Sequence, residues 1–124
     1  MMNNTITINL AKEADEFLGA RYPEESDVNG EEFRENVLLP AFKKYKNIII
    51  DIEDVIGFTW SFLDEAFGGS VWAMGGIGNI ELRLSISATK NYEWKQRIQE
   101  YMEEAEEARK KGLIPEKRWR KFAK

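Results

Sequence analysis

Apolar and polar residues alternate from Thr5 to Leu10, so that Ile6, Ile8 and Leu10 share one face of a predicted strand and Thr5, Thr7 and Asn9 the other. Glu16 to Tyr22 reads as a short second strand, with Gly19 marking a bend. Pro, Ser, Asp, Asn and Gly cluster from Pro23 to Gly30 and predict a loop. Helical spacing follows: Phe33, Val37, Leu38, Ala41 and Phe42 form one stripe of a helix running from Asn29 or Gly30 to about Tyr45. Glu31 and Glu32 suit its first turn and Lys43 and Lys44 its last, while Pro40 inside the pattern predicts a kink or a split.

The unbroken run Ile48-Ile49-Ile50 is too short for a helix and predicts a central strand covered on both faces. After Asp51 come Ile52, the acidic pair Glu53-Asp54 and Gly57, which permits a turn. A second helix is expected from about Trp60 to Trp72 or Met74, capped by Thr59 or Ser61. Its apolar face is Phe62, Leu63, Ala66 and Phe67, Asp64 and Glu65 favour its positive end, and Gly68-Gly69 admit close packing. Gly75 to Asn79 ends it. Ile80 to Ile86 alternates and predicts a strand with Ile80, Leu82, Leu84 and Ile86 on one face. Ser87 or Thr89 would cap a long helix from about Asn91 to Lys111. Its core face is Tyr92 or Trp94, Ile98, Tyr101, Met102 and Ala105, and Gly112 stops it. Pro115 suits the first position of one more short helix.

Strands alternating with helices predict a single α/β domain, a small mixed sheet packed against helices, over residues 1–112, with a tail at 113–124. A chain of 124 residues supports one modest core. No Cys is present, so disulfide and thiol chemistry is excluded, and no His, which removes the commonest general base and zinc ligand. No apolar run is long enough to span a membrane and no signal-peptide pattern opens the chain, so a cytoplasmic protein is expected.

Charge is uneven. The total is −4, yet eight basic residues from Arg109 to Lys124 against Glu116 give that segment +7 and leave −11 elsewhere. Lys117, Arg118, Trp119, Arg120 and Lys121 therefore read either as an arm for nucleic acid or an acidic partner, or as a tail docking Trp119 and Phe122 on the domain's own acidic surface. Asp51, Glu53, Asp54, Asp64 and Glu65 read as a divalent-cation or acid–base cluster, or as loop and helix-end charges; without a nucleophile–base pair the second reading is favoured. Gly75-Gly76-Ile77-Gly78 lacks the spacing of a nucleotide loop. No catalytic residue, metal site or cofactor is expected.

Several stretches together resemble the bacterial STAS-like family of domains of unknown function. They are Arg21-Tyr22, Gly30-Glu31-Glu32-Phe33-Arg34, Leu39-Pro40, Ile50-Asp51 and, above all, Ser61-Phe62-Leu63-Asp64-Glu65-Ala66-Phe67-Gly68-Gly69. A more distant similarity is to the STAS domains of anti-sigma-factor antagonists. That resemblance implies a fold, a binding surface and a regulatory role but not a catalytic activity, and it places Ser61 where phospho-regulated STAS proteins carry their phosphorylated serine. Trp60 and Phe62 stand where those proteins have smaller neighbours. The partner implied is an ATP-binding kinase of the anti-sigma type, with Arg21, Asp51, Asp54, Thr59, Trp60, Phe62, Asp64 and Glu65 as candidate contacts. A nucleic-acid-associated protein using the basic tail, a small inhibitor protein and a metal-dependent hydrolase are the competing expectations.

Overall fold

The structure, a computed structural model, describes residues 3–89, 92–115 and 117–123. Strand β1 (Asn3–Asn9) runs into the short helix α1 (Leu10–Glu13), whose first turn is capped by the Asn9 side chain accepting from the Lys12 N–H. Strand β2 (Phe17–Leu18) is short, as a bend at Gly19 requires. Helix α2 covers residues 30–44 and strand β3 is Tyr45–Asp51. Strand β4 (Gly57–Phe58) pairs with β2. Helix α3 covers residues 60–73, strand β5 is Leu84–Ser87 and helix α4 is Tyr92–Lys111.

The α/β reading is realised with every described strand pair parallel. The main sheet has the order β1-β3-β5. Each crossover moves one strand in the same direction, and right-handed connections then lay α2 and α3 on one face. Side chains agree: Ile8, Ile48, Ile50 and Ile86 are buried beneath the helices, whereas Thr5, Thr7, Ser85 and Ser87 on the other face are exposed. This corrects the expectation of a central strand covered on both faces, since Ile49 lies on the open side and is only half-buried. Its continuous apolar sequence reflects its place between two other strands, with one face under the helices.

Pro40 neither breaks nor splits α2. The helix widens into a π turn at Arg34–Leu38, where the Leu39 N–H bonds the Arg34 carbonyl five residues back, and Pro40 sits just after it. Because proline has no N–H to donate, the shift to wider bonding absorbs it.

The expected strand at 80–86 begins only at Leu84. Both Ile80 and Glu81 donate back to the Ile77 carbonyl, so the chain is still turning. Ile80 is buried, but Leu82 is 91% exposed. The side chain of Arg83 is turned back, donating to the carbonyls of Phe42 in the last turn of α2 and of Tyr45 and Lys46 at the start of β3. On α4 the core face is Ile98, Met102 and Ala105, with Trp94 and Tyr101 half-buried and Tyr92 exposed. The expected start at Asn91 lies outside the described residues. Thr89 hydrogen-bonds the Glu53 carboxylate through both its N–H and its hydroxyl. A short helix at Pro115 would include Glu116, also outside the described residues; beyond it the segment forms a turn at Arg120–Phe122.

Candidate functional site

Helix α3 lies at the centre of the fold, and every residue from Phe62 to Val71 is buried. Thr59 takes the capping role, its hydroxyl accepting from the Phe62 N–H. Ser61 stands half-buried in the first turn.

Asp64 and Glu65 are inside the protein, not on its surface, and a buried carboxylate must be paired. Arg21 reaches both, at 2.8 Å from Asp64 and 3.1 Å from Glu65. Arg34, fully buried, donates to the Glu65 carboxylate at 2.6 Å and to the Glu65 carbonyl at 2.9 Å. Arg118 grips Asp64 through two nitrogens, each at 2.8 Å. The backbone N–H of Trp119 donates to Glu65 at 2.9 Å, and its indole N–H donates to the Asp64 carbonyl at 3.0 Å. Three guanidiniums and two carboxylates thus form one hydrogen-bonded centre, with Glu35 on Arg34 and Glu104 on Arg118 at its margin.

The two glycines after Phe67 make room for this centre. A Cβ on Gly68 would stand 2.7 Å from the Trp119 indole nitrogen, and one on Gly69 would meet the Arg34 guanidinium. The helices also touch at Gly30, where a Cβ would lie 2.5 Å from the Phe62 carbonyl oxygen.

The basic segment folds back on this surface. Arg120 pairs with Glu24 at 2.6 Å and stacks over the Tyr22 ring at 3.9 Å, and Lys121 pairs with Glu35. Tyr22 donates from its hydroxyl to the Lys117 carbonyl and accepts from the Arg120 N–H. Burial pushes the Tyr22 hydroxyl up to about 12, the bond from Arg120 opposing it and Glu65 adding to it. Burial would lower the Arg118 guanidinium, yet Asp64 and then Glu104 raise it. Lys117 and Trp119 both have positive φ, at 68° and 49°, so this turn is held in an unfavourable backbone region by the contacts around it. Trp119 is fully buried in the main core, with Phe122 stacked on Trp72.

The loop acids are spread out. Asp51 accepts from the Glu53 N–H, and Asp54 accepts from the Asn9 side chain. Among the described residues no group of three or more acidic side chains is placed to hold a metal ion.

The surface at the start of α3 is aromatic. Phe58 meets Trp60 edge-on at 4.6 Å and Trp94 at 4.3 Å, and Arg97 lies over Trp60 at 4.9 Å. Trp60 is 42% exposed, and Phe17 and Ile56, on or beside the β2–β4 pair, are 59% and 61% exposed.

Sequence reasoning missed Arg34 as a core residue and Phe17 and Ile56 as surface. Arg34 had a signal: with Leu38 and Phe42 it keeps the four-residue spacing of the buried stripe of α2.

A parallel sheet with both crossover helices on one face, and a central helix entered through a capped loop, defines a small one-sided α/β domain. The chain belongs to the family described as STAS-like domain of unknown function (DUF4325), which it matches over residues 29–92, from the cap of α2 to the start of α4. No curated protein and no solved structure matches it. Among the described residues no helix is long and apolar enough to cross a membrane.

Proposed function

We propose that this domain is a non-enzymatic regulatory module that binds a protein partner through the aromatic surface at the start of α3. The observation that carries the reading is Trp60. It opens the central helix of a STAS-like domain, half outside the fold, packed edge-on against Phe58 with Arg97 over its ring. Exposed aromatic residues over a packed base are the usual anchors of protein interfaces. The acids that a catalytic reading would need are already engaged, Asp64 and Glu65 by Arg21, Arg34 and Arg118. In the tail, Arg118, Arg120 and Lys121 are paired with the domain's own carboxylates, which favours this reading over a nucleic-acid arm.

Ser61 is the gate in this proposal. Phosphorylation adds about −1.5 to −2 of charge, one residue from Trp60 and in the turn next to Asp64 and Glu65. A partner that brings a carboxylate or other negative charge up to Trp60 would then be repelled. Family analogy points to an ATP-binding kinase of the anti-sigma type as that partner.

The test is affinity capture from the native host extract with wild type, Trp60→Ser, Ser61→Ala and Ser61→Asp, with Leu82→Ser as a control for a remote exposed apolar residue. The proposal expects one partner held by wild type, Ser61→Ala and Leu82→Ser, and lost from Trp60→Ser and Ser61→Asp. Equal capture by all five proteins would overturn it.

A further inference from the structure

Strand β5 forms one edge of the main sheet, and among the described residues its only strand neighbour is β3. The Arg83 and Ser87 carbonyls accept from the Ile48 and Ile52 N–H groups of the neighbouring chain segment. In a parallel ladder alternate residues serve the same neighbour, so the peptide groups of Leu84 and Ile86 point away from β3, toward the open edge. Natural edges are blunted by charge, proline or a bulge. Leu84-Ser85-Ile86-Ser87 is protected only by its shortness, four residues, and carries no charge, proline or bulge.

Beside this edge runs a groove of about 570 Å3 between β5 and α4. Its apolar lining includes Leu84, Ile86, Ile98 and Met102. Along α4 its wall carries Lys95, Gln96, Gln99 and Glu100 in that order. The opposite edge, β1, faces a smaller recess of about 260 Å3, lined in part by Pro40 and Lys44.

The geometry points to a second copy of this chain as the occupant of the β5 edge. A two-fold axis at Ser85, perpendicular to the sheet, sets β5 antiparallel to its mate. Leu84 then faces Ile86 of the second copy, and the outward N–H and C=O groups of both are exchanged, joining two three-stranded sheets into one of six. The same axis brings the α4 helices together antiparallel. The order Lys-Gln-…-Gln-Glu is self-complementary under that operation: Lys95 meets Glu100 of the second copy, Gln96 meets its Gln99, and each pairing occurs twice. An isologous interface needs this property, a patch complementary to itself. Among the described residues Lys95 lies 5.9 Å from the Tyr92 ring and Glu100 pairs with Arg97 at 3.7 Å on the surface, and both side chains are exposed.

Sedimentation equilibrium of the full chain tests this, using wild type, Lys95→Glu, Glu100→Lys and the double reversal. All are exposed positions, so folding is expected to be retained. Wild type should dimerise. Each single reversal places two like-charged pairs in the interface and should weaken the dimer at least about tenfold, and the double reversal should restore it. Amide exchange at Leu84 and Ile86 should slow as protein concentration rises. A wild-type chain that stays monomeric, a dimer indifferent to the reversals, or Leu84 and Ile86 amides whose exchange ignores concentration would each overturn the assignment.

Discussion

The indole of Trp119 rests on Gly68, its nitrogen 2.7 Å from the point where a side chain at 68 would begin, and this contact ties the basic segment to the central helix. Truncating so large a buried side chain should be costly. Trp119→Ala is expected to lower unfolding stability by about 3–5 kcal/mol in denaturant titration. A loss below about 1 kcal/mol, the range of ordinary surface changes, would show that the segment is not part of the core.

Gly68→Ala should destabilise because the indole has nowhere to go between Gly68 and the Asp64 carbonyl. Combined with Trp119→Phe, which removes the nitrogen that the new methyl would strike, it should cost less than the sum of the two changes. Strict additivity in a double-mutant cycle would contradict the contact.

Arg34 and Glu65 form a pair in which both side chains are fully buried. Removing one member leaves the other charged and desolvated, so Arg34→Met should cost about 3–5 kcal/mol. An unchanged urea midpoint would mean that Glu65 is satisfied by Arg21 and Trp119 alone.

At high pH the folded-back basic segment should loosen through Tyr22, whose hydroxyl bonds Lys117 and Arg120. Its folded-state value is raised to about 12, above the ordinary value of about 10. A raised value stabilises the fold below the unfolded value, and that contribution is lost as pH rises from about 10 through about 12. Ultraviolet titration should show late-ionising tyrosine absorbance that Tyr22→Phe diminishes, the remainder belonging to Tyr101, the other tyrosine raised by burial. A late component undiminished in Tyr22→Phe would assign it to Tyr101 alone.

Acid should loosen the same segment from its other side. Hydrogen bonds from Arg120 hold the Glu24 carboxyl below its usual value. Burial alone would raise Glu35, but Lys121 and Arg34 hold it low as well. Depressed carboxylates stabilise the fold above their unfolded values, and that contribution fades as pH falls through the folded ones. The Trp119 indole N–H signal should broaden in this window, and Glu35→Gln, which lacks this contribution at every pH, should be broader already at neutral pH and show a shallower acid limb if Lys121 is the link. An identical acid limb in both would contradict it.

Much of the fold was legible because local pattern and tertiary environment agreed. The alternation at Thr5–Leu10, the stripe on α2 and the glycine stop after α3 all appear where periodicity and turn chemistry put them. Ile49 misled because the helices cover only one face of the sheet, and Leu82 because the chain is still turning there and the strand begins only at Leu84. Candidate site residues fared by depth. Trp60 and Thr59 remain at the surface, whereas Phe62, Asp64 and Glu65 belong to the interior. Their partners, Arg34 and Trp119, are 31 and 54 residues away from Glu65 in the chain, and no local pattern encodes such a pairing.

Asp64, Glu65 and Trp119 hold the domain together, and under the proposed function Trp60, with Phe58 beneath it, is the residue that meets the partner. The most direct measurement compares partner capture and unfolding midpoint for Trp60→Ser and Trp119→Phe. Trp60→Ser is expected to keep a near-wild-type midpoint and lose the partner, while Trp119→Phe lowers the midpoint and, below it, still binds. Capture undiminished in Trp60→Ser, or abolished in folded Trp119→Phe, would contradict it.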